Sequence, residues 1–288
     1  MNQQPMSVAL VEQGYQRHAA LAQLHRWYQF YELPEASLAN QLDILQNDIR
    51  LNSGLGEAQG HAAYEERVAQ LPASWENAHF VRNPQVKVEG DTVFLEADVT
   101  YLNRGVNEDG GVRSAELHYR TELTSTPQLL PRFSTITIEQ LSESEADEFK
   151  PAYAENRLLS LIHYYLAIIE DPARNPEPMR ELFAEDFTLN FSSGAITDMA
   201  GFEAWLAGPG SQVRASTHEL SNFSFESLGG NRYRLGVDFG WQGILPDDTE
   251  MSAKTRHTWT VADTPAERFA RIETVDVEVL EPFAPLTR

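Results

Sequence analysis

Two stretches pair a histidine with an asparagine four residues further on. They are Ser216-Thr-His-Glu-Leu-Ser-Asn222, carrying His218, and Asn77-Ala-His-Phe-Val-Arg-Asn83, carrying His79. A histidine moves protons near neutral pH, and an asparagine can orient a carbonyl or hydroxyl. Residues four apart on a β-strand share a face, so each pair would point into one pocket. The plainer alternative is that both side chains satisfy backbone groups at a bulge. After Asn83 the apolar pattern slips by one: Pro84 interrupts, then Val86 and Val88 resume. That slip predicts a β-bulge.

Three more residues could carry acid–base work. Asp238 is a carboxylate on a strand, but Tyr233, Leu235, Val237, Phe239 and Trp241 alternate on the opposite face. Alternation therefore turns Asp238 outward, where pairing with an arginine is the simpler expectation. His257 shares a face with Ala253, Thr255, Trp259 and Val261 and should point inward. With His218 on a neighbouring strand it would make an acid–base pair; alone on an apolar face it would be a satisfied core histidine. Tyr119 is its counterpart in the first half. His163 and His25 flank the apolar stripe of a helix, where packing with one hydrogen bond is expected. Tyr165 and Trp205 are expected mainly in the core, with some aromatic side chains lining a pocket mouth. The candidate set is thus His218, His257 and Asp238 for catalysis. Asn222, His163, Tyr165, Trp205, Trp259, His79, Asn83 and Tyr119 are the candidates for pocket walls.

The elements that must position these residues occur twice. In the first half, helical spacing over Arg17 to Glu32 is stopped by Pro34. A second helix, capped by Ser37, runs through Leu45. A short strand follows over Asp48 to Leu51, then a Gly-rich loop, Gly54 to Gly60, and a helix over Ala62 to Leu71. Strands are expected over His79 to Val88, from Val93 to Tyr101, over Val112 to Leu123 and over Arg132 to Leu141, with a hairpin turn at Glu89-Gly90-Asp91. Acidic Ser142 to Phe149 reads as a linker. The second half repeats the order. Helices are expected over Glu155 to Glu170, Pro176 to Ala184 and Asp198 to Leu206, the last ended by Gly208-Pro209. Strands are expected over Asp186 to Phe191, Thr217 to Ser227, Arg232 to Trp241, Ser252 to Val261 and Arg268 to Leu280. His25 aligns with His163, Asp48 with Asp186, Tyr64 with Phe202 and Asp98 with Asp238. A repeat this long is a duplicated domain, with domains expected at 1–147 and 148–288. Three helices followed by long antiparallel strands give an α+β layer, a curved sheet with helices on one face.

The 288 residues hold 22 Lys and Arg against 43 Asp and Glu, a net charge of −21 divided almost evenly between the halves. Such a surface repels phosphate backbones and anionic lipid, so neither nucleic acid nor membrane is an expected partner. The chain has no cysteine, which removes disulfides and thiolate chemistry. No signal-peptide layout is present, and a cytoplasmic protein is expected. There is no His-Glu-x-x-His motif, P-loop or Gly-x-Ser-x-Gly elbow. Gly54-Leu-Gly-Glu-Ala-Gln-Gly60 is one residue too long for a dinucleotide fingerprint. No cofactor is implied.

Three motifs carry a family resemblance: Leu182-Phe-Ala-Glu-Asp-Phe187 after the second helix, Gly201-Phe-Glu-Ala-Trp205 in the third, and Ser216 to Asn222 opening the long strands. With the element order, they resemble the nuclear transport factor 2-like superfamily in its SnoaL-like branch, in two tandem copies. The resemblance implies cone-shaped domains with an apolar pocket between helices and sheet. It also implies pairing through outer sheet faces, hence a pseudo-dimer within one chain, and leaves further oligomerisation open. The expected function is binding of a small apolar or aromatic molecule in the second domain. If the protein is an enzyme, the resemblance points to cofactor-free proton transfer of dehydratase, isomerase or cyclase type. The alternative is a non-catalytic binding or scaffold protein acting through paired sheet surfaces.

Overall fold

The structure is a computed structural model that describes residues 6–33, 35–107, 110–192, 194–208 and 212–286. The first half runs α1 (Val8–Glu12), α2 (Gly14–Glu32), α3 (Leu38–Asp43), β1 (Leu45–Ser53), β2 (Gly56–Gln59) and α4 (Gly60–Val68). Four long strands follow: β3 (Glu76–Glu89), β4 (Thr92–Arg104), β5 (Val112–Thr124) and β6 (Arg132–Ala146). The second half runs α5 (Tyr153–Glu170), a 3-10 turn (Glu177–Glu181), β7 (Phe183–Phe191), β8 (Gly194–Ile196) and α6 (Met199–Ala207). Its long strands are β9 (Ala215–Gly229), β10 (Arg232–Ile244), β11 (Glu250–Ala262) and β12 (Arg271–Pro285).

The two sheets have the same topology, β2-β1-β6-β5-β4-β3 and β8-β7-β12-β11-β10-β9. In each, one parallel pair (β1 with β6, β7 with β12) joins an otherwise antiparallel ladder. Local chemistry sets the element ends. The Ser37 hydroxyl accepts from Asn40 N, and Asp198 Oδ1 accepts from Gly201 N at 2.7 Å, each satisfying an orphan amide at a helix start. The β3–β4 hairpin turns at Gly90, whose φ of +60° costs a glycine little. Alternation then decides what is buried. Val93, Leu95, Ala97 and Val99 of β4 pack with Leu24, Trp27 and Tyr28 of α2, and with Phe133 and Ile136 of β6.

Several boundaries differ from the expectations. Arg17 to Glu32 lies inside a longer α2, preceded by the short α1 against β9 and β10. The Gly54–Gly60 loop contains β2, which closes a hairpin on β1. The expected linker from Ser142 continues β6 through Ala146, because Val112 to Glu116 of β5 need partners for their amides. Pro176 to Ala184 is only a 3-10 turn, since Phe183 already pairs with Ile272. Pro34 and Pro209, expected to end helices, lie outside the described residues.

By contacts the chain forms two compact units, and neither is one continuous stretch. One comprises Met1–His18, Leu161–Thr264 and Phe269–Arg288; the other comprises Ala19–Ser160 and Pro265–Arg268. Relative to a cut at residue 147, residues 6–18 group with the second sheet, and residues up to Ser160 group with the first. Among the described residues no helix is long and apolar enough to cross a membrane.

Candidate ligand cavity and its histidine–carboxylate pair

His79 and His218 lie near the start of the long edge strands β3 and β9, each fourth in its strand. The helix that precedes each sheet ends in a glutamate, Glu32 or Glu170. His79 accepts no backbone role for its ring. Its Nδ1 lies 3.1 Å from Glu32 Oε1, and its main-chain N–H donates to the same oxygen at 2.7 Å. The amide of Asn156 donates to both Glu32 oxygens at 3.0 Å and to the His79 carbonyl at 2.9 Å. Asn156 Oδ1 in turn lies 2.8 Å from His25 Nδ1. Burial brings the His25 imidazole down to about 4, the Asn156 bond opposing it only in part. With a carboxylate on Nδ1, the neutral ring carries its proton there and keeps a lone pair on Nε2.

A cavity of about 300 Å³ opens beside this histidine. Trp27 and Tyr31 of α2, Leu51 and Ser53 of β1, and Arg67 and Val68 of α4 form one part of the wall. Trp75, Asn77, His79, Tyr101, Arg113, Leu117, Tyr119, Ile138 and Gln140 form the remainder with Gly54, Leu55 and Leu71. The polar part of the wall is internally bonded. Asn77 Oδ1 accepts from Tyr101 Oη at 2.7 Å and from Asn103 Nδ2 at 2.8 Å, and Tyr31 and Tyr64 hydroxyls meet at 2.6 Å. Burial keeps the Tyr119 phenol well above its ordinary value, so it is a neutral hydrogen-bonding group. His79 and Tyr119, expected as pocket residues, thus both line this cavity.

The unit of the second sheet repeats the polar cluster with different partners. His218 Nδ1 lies 2.7 Å from Glu170 Oε1, while His18 Nε2 lies 3.0 Å from the His218 carbonyl and 3.4 Å from Glu170 Oε1. His18 therefore fills the role that Asn156 has beside Glu32. His18 and His163 meet Nδ1 to Nδ1 at 2.9 Å, so one of them must accept and stay neutral at that atom. Burial by itself would raise the Glu170 carboxyl, but the charge of His18 and the bonds from His18 and His218 outweigh it and bring it to about 2.

The remaining expected site residues take structural places. Asn222 and Asn83 are exposed, not in pockets. Each sits at a bulge with φ of +54° and +49°, a conformation asparagine tolerates. Their amides reach Asp238 Oδ2 at 2.8 Å and Asp98 Oδ2 at 3.4 Å. Asp238 is also gripped by the Arg256 fork, at 2.8 and 3.2 Å, on the face opposite His257. The Arg256 bond holds its carboxyl below the usual range against partial desolvation. That carboxylate is an ion-pair partner, not a free base. His257 is buried; its Nε2 lies 3.1 Å from Thr255 Oγ1 and its Nδ1 accepts from Trp259 Nε1 at 3.4 Å. Burial, with the charge of His218, lowers it to about 3. It is a neutral core histidine and forms no hydrogen-bonded pair with His218. Tyr165 and Trp259 meet edge to face at 5.0 Å within the core, and Trp205 stacks on Phe191 at 5.1 Å.

The two halves differ in bulk where the cavity lies. Ser53 and Arg67 of the first correspond to Phe191 and Trp205 of the second, and Tyr101 corresponds to Trp241. Sequence reading missed Glu32 and Glu170, although each lies seven residues, two helical turns, beyond its aligned histidine, His25 or His163. It also missed Arg67 and Arg113. Among the described residues no group of three or more His, Asp or Glu is arranged to hold a metal ion.

No family model matches the chain, and no curated protein matches it. Solved structures do match, each over about half of it. A hexachlorocyclohexane dehydrochlorinase of type 2 is 12% identical with a TM-score of 0.41, covering 46% of this chain and 89% of its own. The type 3 enzyme of Novosphingobium barchaimii is 12% identical with a TM-score of 0.40, covering 46% and 90%. A nuclear transport factor 2-like superfamily protein of Salmonella enterica serovar Typhimurium is 15% identical with a TM-score of 0.40, covering 45% and 93%. The order of elements, repeated in two sheets of one topology, is what fits two tandem copies of a nuclear transport factor 2-like domain.

Proposed function

We propose that the first half of the chain binds a small apolar or aromatic molecule in its cavity and that His79 exchanges a proton with it. The observation that carries this reading is a 300 Å³ cavity with His79 in its wall and the buried Glu32 carboxylate on Nδ1. A pocket of mainly apolar wall with a few convergent polar groups is the usual form of a small-molecule site. Glu32 fixes the tautomer and the ring orientation, as a carboxylate behind a catalytic histidine does. Tyr101 and Asn77, bonded to each other, are neutral groups able to orient a carbonyl or hydroxyl. The reading therefore favours cofactor-free proton transfer, with dehydration, isomerisation and cyclisation as the reaction types.

The second half supports a different role. His257 has both ring nitrogens engaged, and Phe191 and Trp205 stack where the first half has Ser53 and Arg67. These observations favour a packed, non-catalytic partner domain.

The test is a thermal-shift screen of hydrophobic metabolites against the full chain, followed by turnover of each hit. His79→Gln is expected to keep binding within a few-fold and to lose proton exchange at the ligand by a factor of about 100 or more. Exchange unchanged in His79→Gln removes the histidine from the chemistry. Equal shifts by ligands too large for the cavity remove the cavity.

A further inference from the structure

Resting on the reading of this cavity as a ligand site, we infer that its ligand carries a single carboxylate, held by Arg67. The chain has nearly twice as many acidic as basic residues, yet among the described residues the cavity wall contains Arg67 and Arg113 and no Asp or Glu. Arg113 is already compensated: it donates to Glu143 at 2.8 Å and to Gln140 at 2.7 Å. Arg67 is not. Its guanidinium donates to the Gly56 carbonyl at 2.9 Å and to the Ser53 hydroxyl, both neutral. Among the described residues it makes no ion pair.

A guanidinium has five N–H donors in a planar fork that matches a carboxylate. Two acceptors leave donors over for a ligand. The rest of the wall sets the ligand's body: Trp27, Leu51, Val68, Trp75 and Leu117 offer flat and aliphatic surface. One uncompensated charge in such surroundings matches a monoanion and would leave a phosphate dianion half unpaired. The aligned position in the second half is Trp205, so the cation occurs only in the half that holds the cavity.

The test is isothermal titration calorimetry of the full chain with 2-naphthoate and with its neutral isostere 2-naphthamide at neutral pH. Wild type is expected to prefer naphthoate by about tenfold or more, the scale of a charge-assisted bond. Arg67→Gln should lose that preference while still binding naphthamide. Arg67→Lys should keep part of it, which separates loss of charge from loss of fold. If wild type binds naphthamide as tightly as naphthoate, or if Arg67→Gln keeps the full preference, the carboxylate assignment is wrong while the cavity remains a ligand site. If neither probe binds wild type, both readings fall together.

Discussion

Replacing Gly14 by alanine tests whether the two halves are built by the same packing rules. A β-carbon at Gly14 would lie 2.4 Å from Thr217 Oγ1, 2.5 Å from Thr217 Cβ and 2.5 Å from Glu170 Oε2. Neither neighbour yields easily. Threonine is stiff at χ1, and Glu170 is tethered by His18 and His218. Overpacking of this kind costs about 1–3 kcal/mol, offset by at most about 1 kcal/mol of helix propensity. A net loss of about 1–2 kcal/mol is therefore expected. The aligned pair in the unit of the first sheet is Ala152 and Ala78, both buried and in one cluster. Thr217→Ala should accordingly rescue Gly14→Ala, because the double variant recreates the pair that the unit of the first sheet already packs. Its own cost should be small, since Thr217 Oγ1 is buried without a hydrogen-bond partner. Urea unfolding of the four proteins measures the coupling, expected at about 1 kcal/mol or more and favourable. Strict additivity, or no loss in Gly14→Ala, would refute the packing argument and the alignment behind it.

Further outcomes follow from the buried ionisable groups. Glu170 has a folded value near 2 against an ordinary 4.5, so its ionisation contributes stability fully present above about pH 4.5 and lost as pH falls towards 2. The depression corresponds to about 3 kcal/mol, and Glu170→Gln should flatten the acid limb of stability over that window. Parallel acid limbs for the two proteins would contradict it. His257 is lowered to about 3, so its ring C–H resonance in NMR should stay at the neutral position through pH 5; titration near 6.5 would contradict its burial. Asp238→Ala should cost about 1–2 kcal/mol, because it removes the acceptor of the Asn222 and Arg256 hydrogen bonds while Arg256 is exposed enough to be solvated once released. A change under about 0.5 kcal/mol would show that the pair is only a solvated surface contact.

Much of the scaffold could be read from residues. Alternation along Tyr233 to Trp241 placed Asp238 with an arginine on the face opposite His257, but not exposed as expected: Asp238 is buried there. The slip at Asn83 marked a real bulge, and Ser37 marked a real cap. Strand ends were less legible. Whether Ser142 to Ala146 pairs depends on where β5 begins, not on its own acidic composition. The site was read less well, for a definite reason. Periodicity assigns a side chain to a face, but it does not say which facing side chain will answer it. His218 and His79 were visible as chemistry; their carboxylates, Glu170 and Glu32, lie at the ends of helices 47 or 48 residues earlier. The choice of half depended on bulk at two aligned positions, Ser53 against Phe191 and Arg67 against Trp205. That difference was present in the sequence and went unweighed beside the histidines.

Ser53→Phe tests the central claim most directly, because it transplants the second half's Phe191 into the first half's cavity wall. Calorimetric binding of 2-naphthamide should fall by about tenfold or more, with the thermal midpoint unchanged or raised. Undiminished binding in a folded Ser53→Phe protein would mean that the ligand sits elsewhere and that the cavity beside His79 is not the site.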